Sequence, residues 1–379
     1  MGIDSLGTIF QFAGGLGMFL YGMSVMADGL QRFTGNRMQR VLEMLTSNRL
    51  LGVLVGAGVT AIIQSSSATT VMVVGFVNAG ILDLLQATGI IMGANIGTTV
   101  TSWIVSMSEW GEILKPEFFA PLLFAAGAFL SLFAKSHRKK EGAQILIGFS
   151  LLFIGLSSMS GSIAPYRDSP FFSDAFRILG QNPLLGMLAG LLVTAVIQSS
   201  SASVGILQML AINGLVSWRA AIFITLGQNI GTCATALLSC IGAGRTAKRA
   251  AVIHLLFNLI GAALFGTFFY VFFSFSPAFG AALADSVGIS IFHTVFNVTN
   301  TILLFPFAGL LVKASGRIVP QREQELKEAT LAQTVETEMA RHLDERILET
   351  PSFAIENVCH EAVKMGRVVL ANAKIAAAA

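Results

Sequence analysis

Between Leu50 and Val105 the chain carries one charged residue, Asp83, and between Leu184 and Ser239 again only one, Arg219. Runs this long and this uncharged leave few folds open. Only 12% of the 379 residues are charged, against roughly 25% in an ordinary soluble domain. In a bilayer every backbone N–H and C=O must be paired within the protein, which admits helices or closed barrels. Apolar runs near 20 residues, 38 glycines and a mean hydropathy of +0.73 select helices. The sequence therefore predicts an all-α polytopic membrane protein. A net charge of +3 is too small to argue for nucleic acid. Cys233, Cys240 and Cys359 form neither a CxxC pair nor a disulfide framework, and the first two are expected to pack as small apolar groups in one helix. The opening MGIDSLG lacks a basic n-region, so the first apolar stretch is expected to be kept as a helix.

The two uncharged stretches are copies of each other. Residues 50–105 lie over 184–239 without a gap at a shift of 134, with 23 of the 56 positions identical. "GGLGMFLYGMSVM" (14–26) echoes "IGFSLLFIGLSSM" (147–159) at a shift of 133. The chain is an internal duplication.

Membrane-length segments fall at 7–30, 84–107, 118–134, 143–160, 218–240, 250–275 and 288–313, of which 118–134 is short for a span. Two further segments, 50–82 and 184–216, carry "QSSSA" at their middles. Each is too long for one comfortable span and too short for two. Each suits a re-entrant helical hairpin with the tetrad at its tip. Basic clusters at Arg32, Arg37, Arg40 and Arg49, at Lys135, Arg138, Lys139 and Lys140, and at Arg245, Lys248 and Arg249 test this. With re-entrant segments and a cytoplasmic tail, all three clusters lie inside and the N-terminus outside. With single crossings, the Lys135–Lys140 cluster moves outside. The re-entrant count wins, and the odd number of spans between the hairpins gives the repeats opposite orientations, as in secondary transporters. Trp103, Trp110 and Trp218 fall at predicted span ends.

Polar groups buried in lipid without partners cost several kcal/mol each, so the tetrads are expected to meet each other and a ligand within the protein. Broken helices offer N–H groups to anions and carbonyls to cations, and serine hydroxyls serve either. Each hairpin is followed by a second shared motif, "GANIGTT" (93–99) and "GQNIGTC" (227–233), whose Asn95, Thr98, Asn229 and Thr232 add neutral oxygens. Either motif alone reads as helix packing. In register twice beside the tetrads, they read as a site. A polyanion site would normally recruit Arg or Lys, and the tips carry none, so charge compensation is expected from co-bound cations. "HLLFN" (254–258) and "HTVFN" (293–297) put a His and an Asn on one helix face twice, and neutral His bonded across helices is the expectation there. A serine hydrolase built on Ser66 or Ser200 lacks a nucleophile elbow, and no enzyme is expected.

The paired signature, "QSSSA" with "GANIGTT" repeated as "QSSSA" with "GQNIGTC", resembles the type II sodium–phosphate cotransporter family over residues 10–315. The resemblance implies inorganic phosphate as substrate, Na+ as coupling ion and no other cofactor. It implies a shared substrate site lined by Gln64, Ser65, Ser66 and Ser67 and by Gln198, Ser199, Ser200 and Ser201. Na+ would be held through Gln64, Ser67, Gln198 and Ser201 together with Asn95, Thr98, Asn229 and Thr232. Electrogenic animal members carry an extra acidic residue after the first repeat, and "FFAPLLFAAGAFLSLFA" (118–134) has none, so stoichiometry stays open. A transporter of another oxyanion or a carboxylate, and a membrane phosphate sensor without transport, are the alternatives.

The expected division is 1–134 for the first repeat, 135–315 for the second with its closing helices, and 316–379 for a cytoplasmic tail. That tail resembles the start of a PhoU-like helical domain, with a plain amphipathic helix as the alternative. The expected location is the bacterial inner membrane, with the bilayer, phosphate and Na+ as partners and a homo-oligomer left open.

Overall fold

Every long apolar run in the chain is a helix. The computed structural model describes residues 3–34, 49–110, 115–166 and 169–320, and scattered residues between 355 and 369. The tail expectation from 321 onward, and Arg37 and Arg40 of the first basic cluster, lie outside or nearly outside the described residues. Among the described residues the structure is helical apart from an isolated bridge between Ser217 and Leu283.

The first half runs α1 (Ile3–Thr34), α2 (Arg49–Ile63), α3 (Ser66–Asn78), α4 (Leu84–Ser106) and α5 (Pro116–Phe133). The second runs α6 (His137–Ile163), α7 (Pro170–Gln181), α8 (Pro183–Ile197), α9 (Ser200–Ile212), α10 (Trp218–Gly231), α11 (Cys233–Ser239) and α12 (Arg245–Phe275). The chain closes with α13 (Pro277–Ala281), α14 (Ser286–Leu304) and α15 (Ala308–Ile318). Among the described residues seven helical stretches are long and apolar enough to cross a membrane, and they match the seven segments expected from hydropathy. The segment expected at 218–240 is one membrane-length stretch, Trp218–Ser239, in which Thr232 separates α10 from α11 while keeping right-handed helical backbone; Cys233 opens α11 and Cys240 caps its end.

The lone charge in the first uncharged stretch is a helix cap. Asp83 Oδ1 accepts from Leu85 N and Gln86 N, both at 2.7 Å, and Gln86 Oε1 accepts from Asp83 N at 2.9 Å, a reciprocal box that starts α4. At the equivalent place in the second half Ser217 caps α10 through Ala220 N. Arg219 keeps its charge over the ring of Phe273, 5.2 Å from its centroid.

Glycines decide how the helices pack. A Cβ on Gly93 would strike the Val53 carbonyl and one on Gly227 the Met187 carbonyl, so α2 lies against α4 as α8 lies against α10. Helix backbones this close need residues without side chains. The register is the same in both halves: Gly56 faces Ile90, and Gly190 faces Ile224. α1 and α6 meet in the same manner. Gly15 abuts Gly155 and Met159, Gly22 abuts Gly148 and Leu152, and Gly29 abuts Ile145, so the two run antiparallel. Each contact is exchanged at the shift of 133: Gly15 meets the equivalent of Gly22, and Gly22 meets the equivalent of Gly15.

Helix α7 had no counterpart in the expected spans. It is short, with Phe176 and Leu179 packed inward and Arg177 paired to Asp174 at 2.9 Å outside. It meets α8 at 112°, where Pro183 opens α8 and Asn182 caps it. Its charges and its length hide it from a hydropathy window.

Candidate functional site between the two broken hairpins

Both tetrads are helix breaks. Gln64 and Gln198 adopt the left-handed conformation with φ 59°, the only described non-glycine residues to do so. Each donates its backbone N–H to the residue four before it, Thr60 at 2.8 Å and Thr194 at 2.7 Å. The chain then turns extended at Ser65 and Ser199 and starts α3 and α9. The Ser65 hydroxyl accepts from Ala68 N at 3.1 Å, and the Ser199 hydroxyl from Ala202 N at 3.2 Å. As N-cap acceptors both serines retain a hydroxyl proton to donate elsewhere. The backbone N–H groups of Ser66, Ser67, Ser200 and Ser201 lie in the first turns of α3 and α9, where a helix leaves its donors unpaired and its dipole positive.

The two tips touch. Ser67 Oγ donates to Thr235 Oγ1 at 3.4 Å and to the Gln198 carbonyl at 3.5 Å. Ser201 Oγ donates to Thr101 Oγ1 at 3.2 Å. Under the shift of 134, Ser67 corresponds to Ser201 and Thr101 to Thr235. The serine of each half therefore bonds the threonine of the other. The surroundings are less symmetric: Thr101 Oγ1 also donates to Gln64 Oε1 at 2.9 Å and Gln64 Nε2 donates to the Ala61 carbonyl, which buries Gln64. Gln198 is exposed. A cavity of about 230 Å³ opens beside the tips, lined by Gln64, Ile197, Ser199 and Ala202 and by Leu20, Met23 and Ser24 of α1. No lining residue is charged.

The second motifs stand behind the tips without bonding them. Asn95 Nδ2 donates to the Ile91 carbonyl and Asn229 Nδ2 to that of Thr225, while Thr98 and Thr232 bond the carbonyls of Ala94 and Gln228. All four side chains are buried against their own helices. The histidines correct an expectation. His254 and His293 are buried, but neither His293 nitrogen nor His254 Nδ1 finds a partner among the described residues. The paired asparagines bond the histidine carbonyls instead: Asn258 to His254 at 3.1 Å and Asn297 to His293 at 2.8 Å.

Thr101 and Thr235 were not singled out from the sequence, although they are an identical pair in the duplication and could have been found there. Ser24, which aligns with Ser157 at the shift of 133, could have been found in the same way. Gln208 was also missed. Buried in α9, it donates to the Ser102 and Ser286 carbonyls at 3.0 and 3.1 Å and to Ser290 Oγ at 2.9 Å, joining the second hairpin to α4 and α14.

A family model described as "Na+/Pi-cotransporter" matches residues 18–161 and 170–331. A Salmonella typhimurium protein named "Putative inorganic phosphate export protein YjbB" is 27% identical over 363 residues, covering 95% of this chain and 63% of that protein. The chain thus spans under two thirds of that relative's length. A Bacillus subtilis protein named YqeW is 29% identical over 304 residues, covering 80% of this chain and 96% of that protein. The human "Sodium-dependent phosphate transport protein 2B" is 34% identical over 111 residues, 29% of this chain and 16% of its own length. No solved structure matches.

Proposed function

The chain belongs to the Na+/Pi-cotransporter family, a family of transporters and not of enzymes, and on that premise we propose that it carries inorganic phosphate across the bilayer with Na+ by alternating access. The observation that carries this reading is the meeting of two helix N-termini, α3 and α9, through exchanged Ser67–Thr235 and Ser201–Thr101 bonds, with no Arg or Lys among the cavity residues. Phosphate would lie between the tips. Hydroxyl protons of Ser65, Ser66, Ser199 and Ser200 and the first-turn N–H groups of Ser66, Ser67, Ser200 and Ser201 would donate to its oxygens. Na+ would be held by the carbonyl ends of α2 and α8 and by oxygens of Gln64, Ser67, Asn95, Thr98, Gln198, Ser201, Asn229 and Thr232.

The absence of a fixed cation at the tips has a physical consequence. A divalent anion bound alone would leave net charge in a low-dielectric site. With co-bound Na+ the loaded site approaches neutrality, and the unloaded site is neutral as well. Both forms can then reorient, and a half-loaded form is disfavoured.

The antiparallel contact of α1 with α6 and the exchanged tip bonds support two inverted repeats about an approximate two-fold axis, with re-entrant hairpins at 49–78 and 183–212. Buried Gln64 against exposed Gln198 fits a site held to one side of that axis. We assign 1–134 and 135–315 to the two repeats and 316–379 to a cytoplasmic tail in a bacterial inner membrane.

The test is radiolabelled phosphate flux in proteoliposomes with a Na+ gradient, repeated with K+ or choline. Uptake that needs Na+ and overshoots equilibrium is the expected result, and Ser66→Ala with Ser200→Ala should lower it without loss of folded protein. Full activity in that double variant would remove the serines from the site. Phosphate binding without flux would leave a sensor, and competition by sulfate or carboxylates would change the substrate. The name of the Salmonella relative favours a second reading, outward movement. Vesicles preloaded with phosphate separate the two, because an exporter empties them while a Na+ gradient directed inward holds back a symporter.

A further inference from the structure

The two hairpins differ one helical turn behind their tips. In the first, Thr60 Oγ1 donates to Thr69 Oγ1 at 3.0 Å and closes the hairpin on itself. The equivalent positions in the second are Thr194 and Ser203. Among the described residues neither Thr194 Oγ1 nor Ser203 Oγ has a hydrogen-bond partner, and the side chains are 0% and 1% exposed. Where the first half has Ala94, the second has Gln228. Its Nε2 donates to the Ser203 carbonyl at 2.9 Å, which brings the amide against that serine, and its Oε1 is unpartnered at 2% exposure. Thr225 Oγ1, one turn earlier on α10, is unpartnered as well. α8 and α10 touch at this level, since a Cβ on Gly231 would lie 2.7 Å from Thr194 Cβ.

Hydroxyls at this level differ from threonines elsewhere in the bundle. Threonines elsewhere in the bundle, Thr88, Thr98 and Thr232, turn back onto the carbonyl four residues earlier. Thr194, Ser203 and Thr225 do not, and an unmatched buried oxygen is costly. Their common chemistry is that of neutral oxygen acceptors, with no acid among them. Thr194 lies in the last turn of α8, where the helix dipole is negative and favours a cation, Ser203 is the equivalent of the residue that Thr60 bonds in the first hairpin, and the Gln228 amide is held against Ser203.

We propose that Thr194, Ser203 and Gln228 form a Na+ site confined to the second half, distinct from the tip residues assigned above. The site rests on the Na+-coupled reading and deepens it. It lies about 6 Å behind the Gln198–Ser199 break, one turn of four residues, close enough for the cation to strengthen anion binding at the tip and for the anion to strengthen the cation in return. The first half carries no copy because its two oxygens satisfy each other. The duplication thus supplies one further coupling ion, not two.

The experiment measures Na+-dependent thermal stabilisation of the purified full chain without phosphate, choline replacing Na+ at constant ionic strength. Thr194→Val and Gln228→Met each remove one oxygen at near-constant volume, and Thr60→Val is the control in the first half. Loss of a ligand is expected to raise the Na+ concentration for half-maximal stabilisation about tenfold, equivalent to about 1.4 kcal/mol, with Thr60→Val within twofold of the parent. In proteoliposomes the same two variants should show the same shift in the Na+ dependence of phosphate flux. If the parent responds to Na+ and both variants respond like it, the oxygens hold water and the site is refuted while Na+ coupling stands. If the parent itself ignores Na+ in both assays, the coupled reading and this site fall together.

Discussion

Replacing Gln198 by glycine separates the demands of the backbone from those of the side chain. Gln198 sits at φ 59° and its side chain makes no hydrogen bond among the described residues. A left-handed residue with a Cβ costs about 1–2 kcal/mol relative to the right-handed form, and glycine adopts that conformation freely. The greater freedom of glycine in the unfolded chain returns about 0.4–1 kcal/mol of that gain. Gln198→Gly is therefore expected to hold stability level or raise it by up to about 1.6 kcal/mol. At Gln64 the outcome differs. Gln64→Gly also removes the acceptor for Thr101, 2.9 Å away, a loss of about 1 kcal/mol, so it should be neutral or destabilising. Both variants should lose Na+-dependent phosphate flux, because a glutamine is kept twice at a backbone position suited to glycine. The assays are thermal unfolding in detergent and flux in proteoliposomes. A Gln198→Gly protein that unfolds more easily, or that transports at the parental rate, would refute the reasoning.

Two further outcomes follow from packing and from the buried amide. Gly93→Ala drives a methyl into the Val53 carbonyl and should cost about 1–3 kcal/mol, read as a lower melting temperature, whereas Gly58→Ala, with nothing within 4 Å, should not lower it. Gln208→Met keeps volume but strips the donor shared by Ser102, Ser286 and Ser290. It should destabilise by about 1–3 kcal/mol, and unchanged melting would show that this amide is not what joins α9 to α4 and α14.

Much of this protein is decided by local chemistry that a sequence displays. Uncharged length forces helices, because lipid offers a backbone no other partner. The shift of 134 forces the halves to resemble each other down to Gly93 against Val53 and Gly227 against Met187. The tetrads announce the breaks, because three serines after a glutamine are poor helix interior and good helix start. What a sequence cannot display is which copy of a residue meets which. That Ser67 bonds Thr235, and Ser201 bonds Thr101, depends on how two halves with no covalent reason to cross are brought together by the α1–α6 glycine contact. The same holds for the difference between the halves. Thr60 and Thr194 read alike in the chain, yet one is satisfied by its own hairpin and the other has no partner among the described residues. Hydrogen bonds act over about 3 Å, and only the tertiary arrangement sets distances on that scale between residues a hundred positions apart.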